Sequence, residues 1–247
     1  MRFFRLFIGI RDYFALLLSS LLPPYNPSTI SLSFDQILDI GIISVPLILV
    51  ISAFAGFVTA IQGAYQLTPE IPRYFLGASV EKIMVMELSP VLVGLIVTGR
   101  AASSIAAEIG AMRTTEQIDA LEVMAIDPIR FLARPRIIGG AISLPLLTVI
   151  SIVVSLGSAL ILSSSILGVP IATFIYGIRS YFEPLDLIGG LTKSFFFGII
   201  LASFGCFFGL GVRGGAKEVS QAATSAVVYS SIMILVFDFL VASIFYA

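Results

Sequence analysis

Four ionisable residues stand inside otherwise apolar stretches: Glu87, Arg100, Lys193 and Asp238. Charges in such surroundings are costly and mark functional sites by default. Two carboxyls and an ammonium support two kinds of chemistry. They can form a polar cluster lining a cavity, or Glu87 and Asp238 can act as an acid and base pair. Other chemistries lack their residues. There is no histidine, so a Ser-His-Asp triad, a Cys-His pair and a His-ligated metal are excluded. The one cysteine, Cys206, allows no internal disulfide or thiolate cluster. A net charge of −1 excludes a broad basic nucleic-acid surface.

The elements that must carry these charges follow from composition. Of 247 residues, 58% are apolar before 21 glycines are added. Soluble domains reach about 45–50% with glycine included. Charged residues are 12%, against about 25% ordinarily. No soluble fold of this size hides that much apolar surface, so the chain reads as an integral membrane protein. Its long uncharged runs indicate helices rather than a barrel.

Uncharged runs predict five spans, roughly 41–64, 86–108, one within 137–178, 187–211, and 222 to the C-terminus. Gly168 and Pro170 break the third run and leave an outer segment. Met1–Leu22 is basic and apolar, but Arg11 and Asp12 interrupt it and Pro23–Pro24 end it. It fits an amphipathic helix in the membrane interface better than a cleaved signal. Leu32 to Gln36 reads as a staple and capping box opening another helix, with Ser33 as N-cap. The expected architecture is therefore all-α, one membrane domain over 1–247. Residues 1–39 form interfacial helices and 40–247 form a five-span bundle.

Lys and Arg set the orientation. With the N-terminus inside, the inner segments hold Arg2, Arg5, Arg11, Arg113, Arg130, Arg134, Arg136, Arg213 and Lys217, and the outer ones Arg73, Lys82 and Arg179. The N-terminus is thus expected in the cytoplasm and the C-terminus outside. On that topology Glu87, Lys193 and Asp238 share one outer depth, which favours a cavity over simple snorkelling or a structural Lys193–Asp238 pair. Arg100 lies about 20 Å deeper at the helical rise of about 1.5 Å per residue. It reads as structural, holding the inner end of the bundle with Ser103, Ser104 and Glu108 nearby.

Gly205 and Gly209 form a GxxxG that suits close helix packing, within one chain or between two. Between spans two and three, Thr114 to Gln117 reads as a capping box, and a short helix follows to about Met124. Ile118, Leu121 and Ala125 share one stripe and Glu116, Asp119 and Glu122 another. Asp127–Pro128 opens the next turn with Pro at N1. A capped helix with a sticky face and an acidic face suits docking to a cytoplasmic partner, or serves as a plain connector.

The series Glu87-Leu88-Ser89-Pro90, Gly99-Arg100-Ala101, Ala107-Glu108-Ile109-Gly110-Ala111-Met112, Thr115 to Met124, Asp127-Pro128 and Pro135-Arg136 resembles the MlaE permease family. These are membrane subunits of ABC-type lipid transporters that work with MCE-domain proteins. The resemblance implies a homodimer, a cytoplasmic ATPase under each copy, an MCE-protein ring outside, and a phospholipid pocket at the dimer interface. It implies that Thr115–Met124 is the coupling helix, with Glu116, Gln117, Asp119, Leu121 and Glu122 at the ATPase. It puts Gln62, Gln66, Leu67, Glu87, Lys193 and Asp238 at the lipid pocket. Met86 departs from members that carry a basic residue there, so no headgroup role for that position is carried over. A bacterial inner membrane is implied, with an organellar one left open.

No nucleotide site is expected in the chain, and ATP would be used by the partner. A Walker A loop needs G-x-x-x-x-G-K-[ST]. Gly189 to Ser194 has a Lys-Ser without the glycine before it, and Glu218 follows Lys217 in the glycine-rich stretch 209–217. The alternative readings are a membrane-embedded lipid-modifying enzyme using Glu87 and Asp238, and a passive channel. No ring of like charges or filter loop supports the channel.

Overall fold

The computed structural model describes residues 2–21, 27–68 and 70–246, and the side chains of 11–20, 29–68 and 70–245. Described residues are helical wherever they are regular, in the order α1 (Arg2–Leu21), α2 (Pro27–Ile40), α3 (Val45–Gln66), α4 (Phe75–Ile83), α5 (Ser89–Val97), α6 (Ser103–Thr114), α7 (Gln117–Val123), α8 (Arg134–Ser165), α9 (Ile171–Tyr181), α10 (Pro184–Leu210) and α11 (Ala216–Tyr246). Four helical stretches are long and apolar enough to cross a membrane: Thr29–Gln66, Ile129–Ser165, Pro184–Leu210 and Ala216–Phe245. The expected second span lies in an unbroken helical run over 75–114, in which α4, α5 and α6 are joined by π turns at Met84–Leu88 and Thr98–Ala102. That run begins before residue 86 because Leu76, Val80 and Met84 recur every fourth residue and bury one stripe.

The centre of the bundle is α8 and α10. Helix α8 packs on α2, α3 and α10, while α10 also packs on α6 and α11. Small residues set these contacts. Gly198 lies against the Gly140 carbonyl, and Gly56 against the Ser155 carbonyl. Ser52 donates to Ser151 at 2.8 Å across the α3–α8 contact. Gly205 and Gly209 face Ile105 and Ile109 of α6, so the GxxxG pattern serves packing within the chain.

Two arginines tie the N-terminal helices to the bundle by satisfying carbonyls that a helix end leaves open. Arg100 donates to Asp39 O at 2.6 Å, Ile40 O at 3.0 Å and Ser44 Oγ at 3.0 Å. Arg134, 2% exposed, donates to Ser20 O at 2.7 Å and Ser19 O at 3.4 Å. Tyr13 of α1 stacks on Phe204 at 4.4 Å and shares a hydrogen bond with Ser203 Oγ at 2.8 Å. Glu108 pairs with Arg136 at 2.8 Å, joining α6 to α8 rather than supporting Arg100.

Two expected caps are corrected. Ser33 is interior to α2, and its hydroxyl donates to Thr29 O at 2.7 Å. Thr114 is the last residue of α6, with its hydroxyl bonded back to Ala111 O at 2.9 Å. Both hydroxyls bond to the preceding turn, which holds them in helix rather than in the extended N-cap conformation. The expected break at Pro23–Pro24 lies outside the described residues.

Candidate functional site

The site is built from the charged residues of three helices. Glu87 sits in the π turn Met84–Leu88, Lys193 three turns into α10, and Asp238 in the last third of α11. A π turn inserts one extra residue and reorients the side chains around it. Arg100 occupies the other π turn of the same run. Lys193 is completely buried, with its ammonium 2.5 Å from Glu87 Oε1 and 3.0 Å from Asp238 Oδ1. It also donates to Met86 O at 3.2 Å. The Asp238 contact is an ion pair without hydrogen-bond geometry. Glu87 remains 41% exposed and Asp238 18%, so the acids face outward from a buried cation. A buried ammonium needs such partners, because its desolvation is otherwise uncompensated.

A cavity of about 400 Å³ lies at the end of α3, beside α4. Gln62, Gln66 and Leu67 line it together with Thr59, Gly63, Ile71, Phe75, Ser79, Ile83 and Leu88. That volume and a mostly apolar wall with a few hydroxyls and amides are typical of small-molecule pockets. Glu87, Lys193 and Asp238 are not in its wall, although Leu88 adjoins Glu87. The six residues expected at one pocket therefore occupy two places, a cavity and a charged triad. Sequence reading did not find Thr59, Ile71, Phe75, Ser79 and Ile83. The four-residue apolar repeat of α4 is the signal that could have placed that helix beside Gln66.

Helix α7 is shorter than expected and differently faced. Its N-cap is Glu116, at φ 61°, and Ala125 just past its end has φ 58°. Gln117 donates to Thr115 Oγ1 at 3.0 Å. Ile118 is buried in the chain's own core and Leu121 packs against it, so two of the three residues of the expected sticky stripe are already occupied, and Ala125 is exposed. The apolar surface α7 presents is Val123 and Met124, 88% and 61% exposed, with Ile126 beyond. Arg113 holds Asp119 at 2.7 Å and approaches Glu122 at 3.9 Å. Glu116 is the one acid of the three without an ion pair among the described residues. Asp127 caps the following turn as expected, accepting from the Ile129 amide at 3.0 Å.

At the opposite end of the 75–114 run, Lys82 bonds Asp186 at 2.6 Å and approaches Glu183 at 3.4 Å, linking α4 to the start of α10. This link has no counterpart in the sequence reading, where Lys82 figured only in the charge balance.

A model of the family described as permease MlaE matches residues 33–244. A probable ABC transporter permease protein of Rickettsia prowazekii is 37% identical over 240 residues, covering 97% of this chain and 92% of the relative. The intermembrane phospholipid transport system permease protein MlaE of Haemophilus influenzae is 32% identical over 208 residues, covering 84% and 80%. The chloroplastic protein trigalactosyldiacylglycerol 1 of Arabidopsis thaliana is 35% identical over 202 residues, covering 80% of this chain and 57% of that one.

Proposed function

We propose, because the chain belongs to the MlaE permease family, that it is the membrane subunit of an ABC-type transporter that moves phospholipid between the membrane and an MCE-domain partner. A separate ATPase subunit supplies the energy, and this chain binds no nucleotide. The observation that carries the reading is one unbroken family match over 33–244, which includes the cavity, the charged triad and α7 together. The phospholipid cargo follows the Haemophilus relative, a permease protein of an intermembrane phospholipid transport system.

Here residues 86–108 of the run 75–114 are the second of five spans, and α4 lies ahead of them on the outer side. The N-terminus, α1 and α7 face the cytoplasm, and the C-terminus and α9 face outward, in a bacterial inner membrane. Two copies form the working dimer. The cavity beside Gln62, Gln66 and Leu67 receives acyl chains, and the Glu87–Lys193–Asp238 triad meets the polar head. Glu116, Gln117, Asp119, Leu121, Glu122, Val123 and Met124 lie at or behind the ATPase contact.

The enzyme alternative needs Glu87 and Asp238 free to pass a proton to a substrate. Both are engaged with the same ammonium, and neither is in the cavity wall. Purification of the native complex, with mass spectrometry of bound lipid, tests the proposal. An ATPase, an MCE-domain protein and phospholipid should come with the chain. Covalent conversion of lipid by the chain alone, without ATP, would establish the enzyme instead.

A further inference from the structure

Glu81 of α4 is 1% exposed, and neither carboxylate oxygen meets a hydrogen-bond donor among the described residues. A buried carboxylate without donors carries a heavy desolvation cost, which a bound proton removes. Its neighbour in sequence, Lys82, cannot serve both, because it is bonded to Asp186 at 2.6 Å and Glu183 at 3.4 Å. Asp186 is itself 3% exposed. Three carboxyls therefore share one ammonium where α4, α9 and the first turn of α10 meet.

Helices α4 and α9 approach closely at this joint. Gly77 of α4 lies against the Phe174 carbonyl and Gly177 of α9 against the Tyr74 carbonyl, so even a methyl group at either would collide with backbone. Phe174 is completely buried between them. Hydrating an ionised Glu81 from the α9 side requires that contact to open.

We propose that Glu81 is a proton-binding site. With its proton held, α9 and the start of α10 seat tightly on α4, and without it the joint loosens. The other elements around α4 supply no rival. From α9 the ionisable groups are Tyr176, Arg179 and Tyr181, all exposed, with the two tyrosines around Tyr74. From α3 it is Tyr65, 91% exposed. From the π turn it is Glu87, tied to Lys193 of α10. Helix α8 offers only Arg134 and Arg136, bonded at its first turn to Ser20 O and Glu108.

Helix α4 precedes the expected second span and lies outside the four long apolar helices. There, burial first and Asp186 second push the Glu81 carboxyl from its ordinary 4.5 up to about 7, against the pull of Lys82. The associated stability is full below the ordinary value and is lost as pH rises to about 7.

The full-length chain in lipid nanodiscs tests this by infrared spectroscopy and hydrogen exchange. Wild type should show a carboxylic-acid carbonyl band that vanishes with a midpoint near pH 7 and is absent from E81Q. Exchange of α9 amides, corrected for intrinsic base catalysis, should rise several-fold across that midpoint in wild type and stay level in E81Q. D186N removes the neighbouring negative charge and should move the midpoint to lower pH. It carries the test if E81Q does not assemble. A band unchanged in E81Q, equal pH dependence of α9 exchange in both proteins, or an unmoved midpoint in D186N would each overturn the proposal.

Discussion

The Lys193 ammonium stands 3.0 Å from the Asp238 carboxylate, tying α10 to α11, while its other side holds Glu87 in the π turn of the 75–114 run. One buried cation thus fixes three helices to one another. Lys193→Ala leaves two acids facing each other without a cation. Removing one partner of a buried pair typically costs about 3–5 kcal/mol, and the 41% exposure of Glu87 lowers that here. The expected outcome is an assembled complex with poor lipid transfer, and the same for Asp238→Ala. Normal transfer by both variants would leave the triad as a structural anchor.

Helix α7 should dock through Val123 and Met124 as well as its acids. Few interface side chains cost more than ~1 kcal/mol when truncated, but a carboxylate introduced into an apolar contact is left buried and unpaired, which costs more. V123D with M124D, and separately Glu116 and Glu122 changed to Lys, should each cut ATPase pull-down at least tenfold while the chain stays folded. Wild-type yield from both would remove α7 from the interface.

Arg100 should be structural. Its guanidinium serves three acceptors at the end of α2, each a hydrogen bond to a charged group worth about 1.5–3 kcal/mol. R100A should lower the thermal midpoint by several degrees in detergent. R100K should rescue little, because an ammonium cannot span the same fork. An unchanged midpoint in R100A would mean that the α2 end is held by other contacts.

Topology is open to cysteine labelling in a Cys206→Ser background, since Cys206 is completely buried. Cysteine at Val123 should react only with reagent on the cytoplasmic side, and cysteine at Tyr181 only from outside. Labelling of both from one side would reject five spans.

The long elements were legible in the sequence because membrane helices announce themselves by uncharged runs. Helices α3, α8, α10 and α11 fall where those runs do. The meeting of Lys193 with Glu87 and Asp238 was legible for a related reason: a common depth and the cost of an unpaired ammonium leave few partners. The face of α7 was not. Ile118 and Leu121 form a periodic stripe whether it meets this chain's core or another protein, and only the fold assigns it to the core. Arg113 likewise takes Asp119 across six positions and a chain reversal at Glu116, whose φ of 61° no simple capping pattern encodes. The start of α4 was hidden by Lys82 and Glu81, whose charges broke the uncharged run although the helix continues through them.

The proposed role, phospholipid transport under the control of a separate ATPase, is open to direct test. The most direct measurement is transfer of labelled phospholipid between proteoliposomes bearing the purified complex and its MCE-domain partner, with and without ATP. Transfer should require ATP, and should fall both when α7 is altered at Val123 and Met124 and when Lys193 is replaced by alanine. Transfer at the same rate without ATP, or with both variants, would contradict that role.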